Sequence, residues 1–371
     1  MKGTIDMLKE ILAQRDYLPI LKMNDGSDVT PENWEERRKE LRALLEKYSY
    51  GHTPDVEVKV TGKLINEGLY HCAGKCKEEK IQLTYETKHG KGSYPIQIFA
   101  PTKIEKAPVF LHICFGLAPH RYCPVEEIID GGYALVVVDY RDMVNDAHFG
   151  DFSGGIAEHF GTTMERGEED WGKIGMWAWG ASRVLDYLIE NRPDLDTKKV
   201  VVAGHSRLGK TALWCAALDG RFIGAISNNS GYGGAASSKH GTGERVTSFM
   251  KSGSWDWYCE NFKKFSGELE DQKPYDQSFM TALIAPRLVM VGSAKEDSPA
   301  DPQSEFLTTL HASSAWELLG KKGLVPEEDR MPETGDFWGE GNILYHYREG
   351  RHYFSREDWN AYMRFLDKKI K

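Results

Sequence analysis

A serine at the junction between a strand and a helix is the first residue of this chain that could do covalent chemistry. Residues 200–203 form an apolar run that leads into Gly204, and Ser206 follows just before a helix-forming segment, residues 207–214. A serine on such a sharp turn is strained, with its hydroxyl exposed and a helix N-terminus behind it. The pattern predicts a nucleophile at Ser206, with Gly209 one position later than the second glycine of the usual Gly-x-Ser-x-Gly motif. The alternative is a serine that caps a helix in a parallel α/β sheet.

A nucleophilic serine needs a base that takes its proton, and the histidines after Ser206 supply the candidates. In serine hydrolases built on such an elbow, the chain order is serine, acid, histidine. His352 lies in a glycine-containing loop between a predicted last strand, residues 342–347, and a last helix that starts near Ser355. We therefore predict His352 as the base. The other histidines in this part of the chain are His240, His311 and His346, of which His346 is the second candidate and otherwise a packed strand residue.

The acid that orients the histidine should lie in the loop after a late strand. The predicted strand 287–292 is followed by three carboxylates, at Glu296, Asp297 and Asp301. Asp297 is the preferred candidate because it lies a few residues past the end of the strand. Glu296 and Asp301 are alternatives, and Asp301 before Pro302 is also typical of a turn or capping residue. The chosen carboxylate would fix the imidazole tautomer and stabilise its charged form.

Two cations directly after the serine bear on the substrate. The backbone N–H of Arg207 is placed to stabilise an oxyanion, and its guanidinium could add charge, although a surface ion pair is the plainer interpretation. Lys210 lies one helical turn after Ser206 on the same face, where a cation suits a hydroxyl-rich or anionic substrate. Aromatic side chains that could stack on a sugar are Trp255, Trp257, Tyr232 and Tyr258.

The elements that would carry these residues change character along the chain. Residues 56–60, 81–85 and 94–101 alternate between apolar and polar side chains, which predicts antiparallel strands joined by turns such as Gly90-Lys91-Gly92. The later strands are continuous apolar runs, as expected when helices cover both faces of a sheet. These runs are residues 109–115, 134–140, 200–203, 225–227 and 287–292, with a long helix predicted over 171–191. This order predicts an α/β protein with the α/β-hydrolase fold, in which a mostly parallel central sheet carries antiparallel N-terminal strands and helices on both faces.

The first part of the chain is predicted to be a helical extension. Residues 31–48 have a helical period, with Pro31 near the start and Thr30 as the expected N-cap. We expect residues 1–55 to form a helical extension that packs on the main body, and residues 56–371 to form a single catalytic domain.

Composition argues against several classes of function. The 371 residues carry a formal net charge of −9 with acidic and basic residues interleaved, which argues against nucleic-acid and membrane partners. The chain lacks an apolar run of about eighteen residues that would predict a membrane span. Residues 1–10 lack the apolar core of a signal peptide, so we expect a cytoplasmic protein, or a secreted one if a signal was removed.

Cysteine spacing predicts free thiols. The six cysteines are Cys72, Cys76, Cys114, Cys123, Cys215 and Cys259. Cys72 and Cys76 are four residues apart, but a second pair with zinc-like spacing does not follow them. We therefore expect no metal site, and nothing in the sequence points to an obligate protein partner.

Taken together, these motifs resemble carbohydrate esterase family 15, the glucuronoyl esterases, and especially its bacterial members. The resemblance extends over most of the chain, and the Ser-Arg-x-Gly-Lys signature of the family also accounts for the position of Gly209. Its most specific parts are Gly204-His205-Ser206-Arg207-Leu208-Gly209-Lys210, Ser230-Gly231-Tyr232-Gly233-Gly234-Ala235, Trp257-Tyr258-Cys259-Glu260-Asn261-Phe262, Glu296-Asp297 with Ala300-Asp301-Pro302, and Gly350-Arg351-His352 with Asp358-Trp359.

The resemblance implies a serine carboxylesterase with a catalytic triad. Members of the family cleave the ester between a 4-O-methyl-glucuronic acid on xylan and an alcohol of lignin. By resemblance, Ser206 is the nucleophile, His352 the base and Arg207 the oxyanion stabiliser. Lys210 and Glu244 would bind sugar hydroxyls, and no metal or organic cofactor is implied.

Three positions depart from the pattern of the family. Asn229 stands where members often carry a catalytic glutamate, so the acid role falls on Asp297, as in some bacterial members. Tyr232 stands where a cysteine often lies, so the associated disulfide is absent. Pro299 stands where members usually carry a tryptophan that contacts the sugar. Because the chain lacks a visible signal peptide, a cytoplasmic member would act on imported oligosaccharides or small uronate esters.

Two other functions stay open at this point. One is an esterase that removes acetyl or other acyl groups from carbohydrates, which a comparison of glucuronate esters with acetylated sugars would separate from the first. The other is a catalytically silent hydrolase-fold binding protein, which the loss of Ser206, His352 or every candidate acid would indicate. The sequence retains all of these residues.

Overall fold

The computed structural model describes residues 7–66 and 68–371. The strands are β1 (Lys59–Leu64), β2 (Leu69–His71), β3 (Cys76–Thr87), β4 (Gly90–Pro101), β5 (Ala107–Cys114), β6 (Ala134–Asp139), β7 (Leu195–His205), β8 (Gly224–Asn228), β9 (Leu288–Ala294), β10 (Phe337–Trp338) and β11 (Ile343–Arg348). The helices are α1 (Met7–Gln14), α2 (Trp34–Leu45), α3 (Val125–Asp130), α4 (Tyr140–Met143), α5 (Gly155–His159), α6 (Lys173–Asn191), α7 (Arg207–Leu218), α8 (Val246–Ser252), α9 (Ser278–Ala282), α10 (Pro302–Ala312), α11 (Ser314–Leu318) and α12 (Arg356–Ile370). A π-helical turn, Glu46–Tyr50, continues α2.

These strands form one sheet in the order β1-β3-β4-β6-β5-β7-β8-β9-β11-β10, with β2 beside β3. The pairs from β1 to β4, and the pair of β4 with β6, are antiparallel. The pairs from β6 through β5, β7, β8 and β9 to β11 are parallel. The predicted α/β-hydrolase fold is therefore confirmed.

The parallel strands are buried on both faces, as their continuous apolar sequences require. Every residue of β5 and β6 is buried. Alternate residues contribute to two cores: Val109 and Val200 pack with α6 and α7, while Phe110 and Val201 pack with α3 and α12. Helices therefore cover both faces of the sheet.

The segment before β1 contributes to the first of these cores. Trp34 and Leu41 of α2 are 2% and 0% exposed, and Tyr50 stacks on Trp214 of α7 with ring centroids 4.4 Å apart. The described part of the predicted 1–55 extension thus shares its core with the sheet. Residues 1–6, which carry part of the expectation about a signal peptide, lie outside the described residues.

Three local predictions are wrong. The turn predicted at Gly90-Lys91-Gly92 consists instead of residues 88 and 89, because β4 already begins at Gly90, which pairs with Thr87. Thr30 is not the N-cap of α2, because the helix begins at Trp34 and the turn before it is closed by Asn33, whose Oδ1 accepts the N–H of Thr30 at 2.7 Å. Residues 56–58 are not part of a strand, because β1 begins at Lys59. Lys59 pairs with Glu86, and β3 ends one residue later at its hairpin, so residues 56–58 have no strand to pair with.

The sheet brings together the loops that carry the predicted chemistry. Since β7, β8, β9 and β11 are parallel, the residues that follow them meet at one edge of the sheet. These residues include Ser206, Asn229, Asp297 and His352. Within residues 7–66 and 68–371, every helix is too short or too polar to cross a bilayer.

Candidate active site

Ser206 lies on the sharp turn between β7 and α7. Its φ of 58° and ψ of −129° form a conformation that side-chain-bearing residues rarely adopt, so surrounding contacts must hold it. A Cβ on Gly204 would lie 2.0 Å from the carbonyl oxygen of Leu208, which only glycine avoids. The N–H of Ser206 donates to the carbonyl of Asn228 at 2.9 Å and ties the turn to β8. The structure thus presents a half-buried serine at a helix N-terminus.

The unusual position of the second glycine has a packing cause. A Cβ on Gly209 would lie 3.1 Å from the Cβ of Ser230 and 3.3 Å from the backbone nitrogen of Asn228. The first turn of α7 therefore packs closely on the end of β8 and on the loop that follows. A larger residue at position 209 would push the helix, and with it Ser206, away from this loop.

His352 and Asp297 form a short hydrogen bond beside the serine turn. Nδ1 of His352 donates to Oδ2 of Asp297 at 2.6 Å, because an ionised carboxylate can only accept. Asp297 is 3% exposed, whereas the side chain of His352 is 44% exposed. Burial opposes ionisation of Asp297, but hydrogen bonds from His352 and Asn229 prevail and hold its pKa below the usual value. The carboxylate can therefore orient the imidazole and stabilise it when charged.

The alternative acids have other partners. Glu296 is exposed and pairs with Arg351 at 3.3 Å on the surface. Asp301 has a φ of 54° and caps α10, accepting the N–H of Ser304 at 3.0 Å, while its other oxygen accepts the N–H of Thr242 at 2.6 Å. Of the three carboxylates, the structure brings only Asp297 to His352.

The alternative histidines are also engaged elsewhere. His346 is buried in β11, with Nε2 3.7 Å from Asp358. His311 lies on α10, with Nδ1 3.1 Å from the hydroxyl of Ser278. The carbonyl of His240 accepts a hydrogen bond from Arg15. Of the four candidates, His352 is the one beside the serine turn.

His205, just before Ser206, is a neighbour of His352 that sequence reasoning missed. Its ring centroid lies 4.4 Å from that of His352, and its Nδ1 donates to Oδ1 of Asn228 at 2.7 Å. Burial, reinforced by the charge of His352, lowers the pKa of His205 to about 3. This ring therefore stays neutral at ordinary pH and adds no positive charge beside His352.

Asn229 and Glu305 hold the surroundings of Asp297, the candidate acid. Nδ2 of Asn229 donates to Oδ2 of Asp297 at 2.9 Å. Glu305 of α10 is completely buried and accepts the backbone N–H groups of Ser230 at 2.8 Å and Gly231 at 3.0 Å. The carboxyl group of Glu305 thus fixes the loop that carries Asn229. Sequence reasoning missed Glu305 because nothing in its local pattern reveals which loop it contacts.

Glu305 predicts a pH-dependent stability. Burial raises the pKa of Glu305 from 4.5 to about 7, although Ser293, Gly231 and Ser230 donate hydrogen bonds that lower it. The pKa of Glu305 is higher in the folded than in the unfolded chain, so the folded protein is favoured while this carboxyl group is protonated. Its contribution to the free energy of unfolding is therefore fully present below about pH 4.5 and is lost as the pH rises through about 7. We expect Glu305→Gln, which imitates the protonated acid, to flatten this decline and to exceed the wild type at pH 8 by about 1–3 kcal/mol in the free energy of unfolding.

Urea unfolding of the two proteins at pH 5, 6, 7 and 8 measures this effect. Glu317→Gln, on the neighbouring α11, is the matched control and should follow the wild type. Parallel stability curves for the wild type and Glu305→Gln would contradict the assignment.

Arg207 is held at the start of α7 by an acid and an aromatic ring. Its Nη1 donates to Oδ2 of Asp146 at 2.8 Å, and its guanidinium carbon lies 4.2 Å from the ring centroid of Trp257. Trp257 in turn donates its indole N–H to Asp146 at 3.3 Å, and Lys173 donates to the same carboxylate at 3.2 Å. Asp146 is a further residue that sequence reasoning missed, since it lies in a loop far along the chain from both partners. The result is a fixed cation directly after the serine.

Lys210 lies beneath the surface. Its Nζ donates to the carbonyls of Ser230 at 2.6 Å and Tyr232 at 2.7 Å, and to Oε2 of Glu244 at 2.9 Å. The side chain of Lys210 is 2% exposed and that of Glu244 is 31% exposed. Of this pair, Glu244 is the group that solvent or a ligand can reach.

Most surface of the four aromatic side chains that were predicted to stack on a sugar is buried in the core. Tyr232 and Tyr258 are 2% and 0% exposed, and Tyr258 stacks on Phe262 with ring centroids 4.0 Å apart. The prediction that these two tyrosines could stack on a sugar is therefore wrong, because side-chain packing behind α7 buries them. Trp255 and Trp257 are each 7% exposed, so little of either residue can meet a ligand.

Comparison with known proteins extends the resemblance seen in the sequence. The sequence model of a family described as glucuronyl esterase, fungi, matches residues 83–320. A curated carbohydrate esterase, MZ0003, from an unknown prokaryotic organism is 33% identical over 395 residues, covering 94% of this chain and 88% of that protein. A 4-O-methyl-glucuronoyl methylesterase of Schizophyllum commune is 29% identical, covering 84% of this chain and 75% of that protein.

Solved structures agree with these sequence matches. A glucuronoyl esterase from Solibacter usitatus superposes with a TM-score of 0.86 at 31% identity, covering 96% of this chain and 98% of that one. A promiscuous esterase of carbohydrate esterase family 15 from a marine bacterial metagenome superposes with a TM-score of 0.84 at 32% identity, covering 95% and 97% of the two chains. Both similarities extend over nearly the whole of each chain.

Proposed function

This chain belongs to carbohydrate esterase family 15, the glucuronoyl esterases, and on that premise we propose that it hydrolyses uronate esters of carbohydrates through a serine-bound acyl intermediate. The observation that carries the proposal is the 2.6 Å hydrogen bond between His352 and Asp297, beside the strained turn of Ser206. A carboxylesterase needs these three groups at one place, and the rest of the site bears on which ester is bound.

The proposed reaction has two halves. Ser206 Oγ attacks the ester carbonyl while Nε2 of His352 takes its proton, and the alcohol then leaves with that proton. Water, deprotonated by the same nitrogen, attacks the uronoyl-serine, and the acid is released as the proton returns to Ser206. Asp297 holds the imidazole in the tautomer that both halves require.

Arg207 supplies the positive charge that this chemistry needs. Its side chain is 30% exposed, and Asp146 holds one end of the guanidinium through Nη1. A cation fixed directly after the nucleophile suits the oxyanion of the tetrahedral intermediate. The backbone N–H at the start of α7 is a second donor, since the first N–H groups of a helix have no partner within it.

Sugar recognition is assigned to the Lys210–Glu244 pair. Because Lys210 uses its three donors internally, we assign it the role of holding Glu244, whose second carboxylate oxygen would accept hydrogen bonds from sugar hydroxyls. Glu244 donates its backbone N–H to the carbonyl of Pro299 at 2.9 Å, so this proline borders the same part of the cleft. A proline there contacts a sugar less extensively than an indole would, which favours small uronate esters over a long xylan chain.

A substrate panel tests the proposed function. Purified protein is assayed with benzyl glucuronate, methyl glucuronate, p-nitrophenyl acetate and acetylated xylo-oligosaccharides. We expect turnover of both uronate esters with kcat/KM well above that for the acetyl esters. Turnover of the acetyl esters alone would indicate the alternative, a carbohydrate acyl esterase, for which the missing indole at Pro299 is the favouring observation.

Loss of the Arg207 guanidinium is expected to slow the chemical step. Arg207→Ala should lower kcat on benzyl glucuronate by about 10²–10³-fold, the typical effect of removing one oxyanion donor. KM should change less, because the oxyanion exists only in the transition state. Arg351→Ala removes an arginine beside the base that is 87% exposed and should leave kcat near the wild-type value. Equal losses in the two variants would show that Arg207 acts through general charge and not as a positioned donor.

A further inference from the structure

A cluster of imidazole and thiol groups lies at the end of β5 and in the loop after it, outside the reaction described above. His112 and Cys114 are two residues apart on β5 and therefore point to the same face of the strand. Sγ of Cys123 lies 3.6 Å from Sγ of Cys114 and 3.5 Å from Nδ1 of His112. All three ligand atoms lie within 4.8 Å of one another. Nδ1 of His120 lies 3.5 Å from Sγ of Cys114.

Three of the separations among these four side chains match edges of a zinc-sized tetrahedron. Zn–S bonds of about 2.3 Å and Zn–N bonds of about 2.0–2.1 Å, at tetrahedral angles, place two sulfurs about 3.8 Å apart and a sulfur and a nitrogen about 3.5 Å apart. The sulfur pair at 3.6 Å and the two sulfur–nitrogen pairs at 3.5 Å match these values. A disulfide between Cys114 and Cys123 needs an S–S distance of about 2.0 Å, which this arrangement does not approach.

The surroundings suit a structural ion. His112, Cys114 and Cys123 are 1%, 0% and 7% exposed. The rings of Phe354 and Trp359 meet His112 edge-on, with centroids 5.4 and 5.2 Å away, so the cluster has an apolar wall. Two thiolates neutralise the charge of a divalent ion. Thiolate and imidazole ligands bind zinc well, whereas calcium and magnesium prefer oxygen ligands.

We propose that His112, Cys114 and Cys123 bind one Zn²⁺, with His120 in the fourth position. His120 is the most exposed of the four, and its Nδ1 accepts the N–H of Tyr122 at 3.2 Å, so this long hydrogen bond gives way when the ion is bound. The pattern His-x-Cys at 112–114 and His-x-x-Cys at 120–123 is the sequence signal for the site. The spacing of cysteine pairs alone does not reveal this pattern, because each cysteine here is paired with a histidine.

The ion would hold a loop that borders the active site. Residues 115–123 join the four ligands, and the carbonyl of Phe115 in this loop accepts a hydrogen bond from Arg141 at 2.8 Å. The ring of Phe115 lies 5.8 Å from the guanidinium carbon of Arg207. In α/β-hydrolases the loop after the corresponding strand supplies an oxyanion N–H. With four protein ligands the zinc has no open position, so its role is structural.

Metal analysis of the full chain tests the proposal. The protein is purified without chelators or a histidine tag, and its zinc content is measured by mass spectrometry of the ion. We expect about one zinc per chain, and after exchange with Co²⁺ a thiolate-to-cobalt charge-transfer band with tetrahedral d–d absorption. Thermal unfolding should shift to lower temperature with a strong chelator and return when Zn²⁺ is added.

Variants locate the site without relying on activity. Cys114→Ser and Cys123→Ser should lose the bound metal and the cobalt band. Cys215→Ser is the control, because Cys215 is also buried but its Sγ contacts the carbonyl of Ala178 and the hydroxyl of Ser182. His120→Gln should weaken zinc binding less than the cysteine variants do. Wild-type protein with reduced thiols that takes up no Zn²⁺ or Co²⁺ would overturn the proposal, as would a Cys114–Cys123 disulfide in its place or a cobalt band unchanged in Cys123→Ser.

Discussion

Ser206→Ala is expected to lower kcat on a glucuronate ester by about 10⁵–10⁶-fold while the fold persists. The nucleophile would be lost, and only binding and oxyanion stabilisation would act on the uncatalysed attack of water. Alanine keeps the Cβ that packs in the turn, and the side chain of Ser206 is only half-buried, so little packing is lost. Single-turnover assays measure the rate, and circular dichroism with a melting curve measures the fold.

A serine distant from the site provides the control for this experiment. Ser93→Ala removes an exposed hydroxyl on β4, at the opposite end of the sheet order from β9 and β11, and should behave as wild type. Retention of more than about 1% of kcat by Ser206→Ala, with contaminating esterase excluded by an active-site titrant, would show that Ser206 is not the nucleophile. A trapped acyl-enzyme in wild type, absent in the variant, is the positive evidence.

Asp297→Asn is expected to lower kcat by about 10⁴-fold. The amide of an asparagine would donate to Nδ1 of His352, so the ring proton would move to Nε2, the nitrogen that must accept a proton from Ser206. It would also remove the negative charge that stabilises the imidazolium. Binding should change little, because Asp297 is 3% exposed and is separated from the substrate by His352.

Variants of the two neighbouring carboxylates are the controls for Asp297→Asn. Glu296→Gln removes an exposed acid one residue away and should leave kcat within a factor of about two, since surface ion pairs contribute little. Asp301→Asn should lower the melting temperature by weakening the cap of α10, with kcat retained in the folded fraction. An active Asp297→Asn together with an inactive Asp301→Asn would show that the acid is Asp301.

Features of the fold and the site that depend on residues nearby in the chain could be predicted from the sequence. Ser206 follows a continuous apolar strand and precedes a helix, and His352 lies in the loop between the last strand and helix, so their positions depend on neighbours in the chain. The central strands were predictable for the same reason, because burial on both faces leaves a continuous apolar run. The edge strand β1 was misplaced at its start because its extent depends on where its partner β3 ends.

The parts that could not be predicted depend on contacts between distant segments. The sequence preferred Asp297 among three carboxylates within six residues but left Glu296 and Asp301 open. The positive φ of Asp301 together with its capping role separates it from Asp297. Asp146 reaches Arg207 across 61 positions, and Glu305 reaches Ser230 across 75. The burial of Tyr232 and Tyr258 likewise follows from packing behind α7, which their local sequence does not specify.

The backbone conformation of Ser206 has a cost in stability. A non-glycine residue at φ 58° and ψ −129° costs about 1–3 kcal/mol, a sizeable share of the stability of a typical domain. Ser206→Gly would relieve that cost and yield a more stable but inactive protein. A glycine at position 206 would therefore favour stability, whereas the serine of this chain suits the proposed role of nucleophile at a cost in stability.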